Sequence, residues 1–123
     1  MKSILICGAG ALGSWLSTYL AIDIRDAHEI TVLDRDLVEE RNIRAGTQNY
    51  LREQIGFPKV EVLQFNIYKQ CNRDIGTIEG TFMKTNAIAL LRGFNLMIDC
   101  FDNFEARSAI TEACTHIPCV HLG

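Results

Sequence analysis

Proline is nearly absent from this chain, with two in 123 residues, and tryptophan occurs once. Nothing resembles a polyproline tract, a linker, a repeat or a low-complexity segment, so a single domain is expected. Long hydrophobic runs are missing too. No apolar stretch approaches the roughly 20 residues that span a bilayer, and Met1-Lys2-Ser3 leads into an apolar segment without a signal-peptide pattern. A cytoplasmic protein with no membrane partner is therefore expected. Basic charge is not in excess, because 12 Lys and Arg stand against 15 Asp and Glu for a net charge of −3. That balance offers no stripe for nucleic acid. No Cys-x-x-Cys pair occurs among the five cysteines, so a zinc site is not indicated and reduced, buried thiols are expected.

What is present begins at Ile4. Ile4-Leu5-Ile6-Cys7 runs into Gly8-x-Gly10-x-x-Gly13 and then an amphipathic stretch, which reads as strand, tight turn and helix N-terminus. Glycines there let the backbone turn sharply and approach a phosphate, while orphan amides and the helix dipole favour negative charge. Leu12, Trp15, Leu16, Tyr19 and Leu20 follow helical spacing, so a helix over about 12–22 is expected to pack that face on a sheet. Ile30-Thr31-Val32-Leu33 supplies a second strand and completes a βαβ unit with parallel strands. Asp34 ends that strand 21 positions after Gly13, placed to accept hydrogen bonds from ribose hydroxyls.

Pro58 marks the start of a helix whose buried face is Val60, Leu63, Ile67 and Cys71 and whose end is near Asn72. Lys59 falls in its first turn, where the dipole disfavours a cation unless an anion is beside it. Further expected elements are a strand over 75–82, a short helix over 86–92, a strand at 96–98, a helix over 103–116 and a strand at 119–122. Strands alternating with helices give an α/β fold, a Rossmann-like, doubly wound and mainly parallel sheet with helices on both faces.

Several motifs go beyond a generic dinucleotide site. Asp34-Arg-Asp36-Leu-Val-Glu-Glu-Arg-Asn42-Ile43, then Gly56-Phe57-Pro58-Lys59, resembles the ThiF/MoeB/HesA family, bacterial relatives of ubiquitin-activating enzymes. Asp99-Cys100-Phe101-Asp102-Asn103 with Arg107, then Cys114 and Pro118 to Gly123, extends the similarity over nearly the whole chain. The resemblance implies ATP-dependent adenylation of the C-terminal carboxylate of a small ubiquitin-like or sulfur-carrier protein ending in Gly-Gly, with Mg²⁺, by a homodimer. It implies Gly8, Gly10 and Gly13 as the phosphate cradle, Asp34 and Asn42 as nucleotide contacts, Lys59 on the phosphates, and Asp102 with Asp36 on the metal. One departure stands out. Where the family carries a phosphate-contacting Arg this chain has Ala45, leaving Arg44 or Arg41 to reach the phosphates from a rearranged loop, or the contact absent. The family normally continues well beyond the last strand, so residues 1–123 are expected to be a nucleotide-binding domain truncated at its C-terminal side, with independent catalysis in question. Gly8 to Gly13 with Asp34 also suits an NAD(P)-dependent oxidoreductase, and Ala45 suits a catalytically impaired nucleotide-binding scaffold.

Overall fold

The computed structural model describes residues 2–23, 28–83, 86–101, 104–113 and 117–122. Five strands, β1 (Lys2–Cys7), β2 (His28–Asp34), β3 (Gly76–Glu79), β4 (Leu96–Asp99) and β5 (Cys119–His121), form one sheet in the order β3-β2-β1-β4-β5. Every pairing is parallel. The doubly wound reading therefore holds, and the sheet is wholly rather than mainly parallel within these strands.

Alternation along β1 shows why both sheet faces are covered. Ile4 and Ile6 belong to one core cluster with Val60, Leu63 and Ile67 of helix α2 (Lys59–Cys71). Leu5 and Cys7 belong to the other, with Leu91 of α3 (Ala87–Leu91) and Ile110 of α4 (Phe104–Ala113). A strand buried on both faces reads as an unbroken apolar run.

Helix α1 (Ala11–Asp23) corrects the expected packing face. Its buried residues are Gly13, Ser14, Ser17, Thr18 and Ala21, whereas Leu12 and Tyr19 are exposed and Leu16 and Leu20 only partly covered. The cause is close approach: a Cβ on Gly13 would stand 1.7 Å from the Gly8 carbonyl oxygen. A helix that near the turn admits only small side chains underneath it. Ser17 and Thr18 satisfy their hydroxyls on the carbonyls of Gly13 and Ser14.

β3 is shorter than the expected 75–82, because β2 ends at Asp34, opposite Glu79, and leaves no ladder beyond. Phe82 is instead buried in the second cluster. The segment between β2 and α2 is not an open loop. It contains two 3₁₀ turns, Glu40–Gly46 and Arg52–Gln54, which the apolar pattern did not announce. Residues 114–116 of the expected last helix, Cys114 among them, lie outside the described residues. Among the described residues no helix is long and apolar enough to cross a membrane.

Candidate functional site

Strand order reverses between β1 and β4, and at such a switch point the C-terminal strand ends open a crevice suited to ligands. The turn after β1 lies there. Gly8 has φ of +104°, and a Cβ on it would press on the Cys100 carbonyl at 3.0 Å, so both conformation and space require glycine. Gly13 is required by contact with Gly8, as described above. Gly10 differs: a Cβ there would meet nothing within 4 Å. The protein leaves that space open beside the first turn of α1, whose leading amides have no intrahelical acceptor.

Asp34 is buried and braces this turn. One carboxylate oxygen accepts the Ala9 amide at 2.8 Å and the other the Asp36 amide at 2.7 Å. A carboxylate offers about four lone-pair sites, so two amides leave capacity for further donors.

Tyr50, which the sequence pattern did not single out, closes the arrangement. Its hydroxyl donates to the Ala9 carbonyl at 2.5 Å, and its ring lies 6.0 Å from the Lys59 ammonium. Burial, with Asp34 adding to it, pushes the phenol well above its ordinary pKa, so it stays a donor. Lys59 completes a ring of contacts, since its amide donates to the Asp36 carbonyl at 2.9 Å. Leu37 bridges Pro58, and Val38 exchanges backbone hydrogen bonds with Gly56 and Phe57, which fixes where α2 begins.

Lys59 is 6% exposed as a residue, and its ammonium has no carboxylate or hydrogen-bond acceptor among the described residues. An ammonium at a helix N-terminus with no anion beside it is unfavourably placed. It fits a site that receives an anion.

The remaining sequence candidates are less uniform. Asn42 is buried, and its side-chain oxygen accepts the Glu39 amide at 2.7 Å, capping the first 3₁₀ turn. Arg41 pairs with Glu39 at 2.7 Å, whereas Arg44 is exposed and has no partner among the described residues. Asp36 carries an exposed carboxylate 3.9 Å from Arg35. Asp102 and Asn103 lie outside the described residues, and nothing is described of the side chains of Ala45 and Arg107.

Asp99, fully buried, accepts the Phe101 amide at 2.9 Å and meets His121 Nδ1 at 2.9 Å, tying β4 to β5. Burial and then Asp99 push the Cys100 thiol up to about 11, which makes it a poor nucleophile at neutral pH.

Comparison with known proteins adds an independent line. The family described as "ThiF family" matches residues 1–122. A protein of Porphyra purpurea named probable molybdopterin-synthase adenylyltransferase is 30% identical, over 98% of this chain and 31% of its own length. The SAMP-activating enzyme E1 of Haloferax volcanii is 29% identical, over 96% of this chain and 44% of its own. Among solved structures, the E. coli tRNA N6-threonylcarbamoyladenosine dehydratase TcdA in complex with ATP superposes with a TM-score of 0.83 at 26% identity, over 98% of this chain and 50% of the other. The chain thus spans a third to a half of the length of these relatives.

Proposed function

The chain belongs to the ThiF family, and from that premise we propose that it is the nucleotide-binding part of an ATP-dependent adenylyltransferase. The acceptor in this reading is the C-terminal carboxylate of a small ubiquitin-like or sulfur-carrier protein ending in Gly-Gly. The observation that carries it is Lys59, which has no anionic partner among the described residues and lies over the Tyr50 ring, Tyr50 in turn being bonded to Ala9 of the glycine turn. An NAD(P) site needs the turn and Asp34 but has no need of that cation.

In this mechanism the amides of the glycine turn and the first turn of α1 hold phosphate oxygens, and Asp34 accepts ribose hydroxyls. An oxygen of the acceptor carboxylate attacks the α-phosphorus, the bond to the bridging oxygen breaks, and pyrophosphate leaves. Charge accumulates on the departing phosphates, and Lys59, poised by Tyr50 and the Asp36 carbonyl, stabilises it there. Mg²⁺ would neutralise phosphate charge, and Asp102 with Asp36 would hold it, carboxylates being its preferred protein ligands. Arg44, exposed and unpaired among the described residues, takes the phosphate contact that Ala45 lacks. The assembly in this reading is a homodimer.

Support also comes from relatives named for adenylylation and from a structural counterpart with ATP bound. The test is pyrophosphate exchange into ATP by the full-length protein. Exchange that requires an acceptor ending in Gly-Gly supports the reading; no exchange with any such acceptor overturns it.

A further inference from the structure

Packed helices usually meet through apolar side chains, whose attraction is non-directional. Helices α1 and α2 are joined by a buried polar layer instead. Ser14 and Thr18 of α1 are buried, α2 buries Asn66 among Val62, Leu63 and Ile67, and Asn49 is buried with them. The Asn49 backbone amide donates to Ser14 Oγ at 3.1 Å, and its side-chain amide donates to Thr18 Oγ1 at 2.8 Å. Those two bonds hold α1. Towards α2, the Asn49 carbonyl accepts Asn66 Nδ2 at 2.8 Å, and the side-chain amides of Asn49 and Gln70 exchange two bonds of 3.2 Å. Asn66 is fixed in turn by Gln54, which donates to it at 2.6 Å and accepts from it at 3.0 Å.

One residue thus spends its backbone donor, its backbone acceptor and both ends of its side chain on two helices. Apolar contacts tolerate sliding, whereas a satisfied network of directional bonds holds one geometry. The helices it joins are those that build the nucleotide site. Ser14 lies in the first turn of α1, its own amide on the Gly10 carbonyl at 2.9 Å, and Lys59 is the first residue of α2. Asn49 also precedes Tyr50, whose hydroxyl holds the Ala9 carbonyl and whose ring lies 6.0 Å from the Lys59 ammonium. Anchoring the amide and carbonyl of Asn49 therefore sets where Tyr50 enters the site.

We propose that Asn49 is a positioning residue for adenylyl transfer: by bonding α1 at Ser14 and Thr18 and α2 at Asn66 and Gln70, it fixes the span between the glycine turn and Lys59. It touches no substrate and acts through Tyr50 and the two helices. A cation that stabilises departing phosphates depends on its placement, because a misplacement of about 1 Å costs on the order of 100-fold in rate. The role rests on the adenylation reading above, since it is a role in that reaction.

The test is a double-mutant cycle in pyrophosphate exchange, using the full-length protein as wild type, Asn49→Ala, Lys59→Met and both together. Asn49→Ala should lower kcat about tenfold or more while the KM for ATP moves less than about threefold, the pattern of an interaction realised in the transition state. In the Lys59→Met background the same substitution should cost less than about twofold, because the group it positions is gone. Thr18→Val removes one acceptor of Asn49 while nearly keeping side-chain shape. It should show the same dependence on Lys59 with a smaller loss, so the comparison survives if Asn49→Ala fails to fold. Equal losses in both backgrounds mean that Asn49 merely supports the fold, and they overturn the positioning role alone. A wild-type protein without exchange overturns the adenylation reading and this role with it.

Discussion

The Tyr50 hydroxyl donates to the carbonyl of Ala9 at 2.5 Å, joining the glycine turn to a residue 41 positions downstream. Through that bond the turn, Asp34, Asp36 and Lys59 form one closed set of contacts that ties the cradle to the cation.

Tyr50→Phe keeps the ring beneath Lys59 and removes only the hydroxyl. It leaves the buried Ala9 carbonyl without its donor, which should destabilise the fold by about 1–3 kcal/mol. Urea unfolding would measure the loss, and an unchanged midpoint would show that the bond contributes nothing.

Gly10 and Gly13 should respond oppositely to alanine. Gly13→Ala drives a Cβ to 1.7 Å from the Gly8 carbonyl and should cost about 3 kcal/mol or more in stability. Gly10→Ala meets open space and should fold normally, while lowering ATP affinity about tenfold or more by filling the cradle. Denaturation paired with nucleotide titration distinguishes the two, and equal stability losses would contradict the separation of roles.

Lys59→Met removes a charge in the first turn of α2 that has no anionic partner among the described residues. Its stability should stay within about 1 kcal/mol of the wild type, because a cation leaves a helix N-terminus that disfavours it. Pyrophosphate exchange should fall by about 100-fold or more. A variant that folds normally and retains exchange would reverse the assignment.

Alkaline pH should weaken the fold through Cys100 and Tyr50. Both bind a proton more tightly when folded, so their contribution is complete below the ordinary thiol value of 9.0 and is lost as pH rises from there past about 11. Thermal midpoints between pH 8 and 11 should fall less steeply in Cys100→Ala than in wild type. Identical slopes would dissociate the thiol from the effect.

Sequence pattern revealed the sheet because parallel strands covered on both sides are short apolar runs, as at Ile4 to Cys7 and Ile30 to Leu33. It singled out Lys59 as a candidate because an ammonium in a helix's first turn is out of place there, and the structure puts Lys59 at the start of α2. It misassigned the packing face of α1, since hydrophobic spacing does not register a contact set by backbone proximity at Gly13. Tyr50 gave no signal, being one aromatic in a polar segment whose place depends on the 3₁₀ turns around it. Asn42 showed only its residue type, and the structure gives it a local cap on Glu39. Asp102, the principal metal candidate, lies outside the described residues.

The central claim is that the cradle and Lys59 together select a nucleoside triphosphate. Calorimetric titration of the full-length protein with ATP and Mg²⁺, and separately with NADH, tests it most directly. The account predicts saturable ATP binding that is weakened by Lys59→Met, and no NADH binding. Saturable NADH binding with no response to ATP would contradict it.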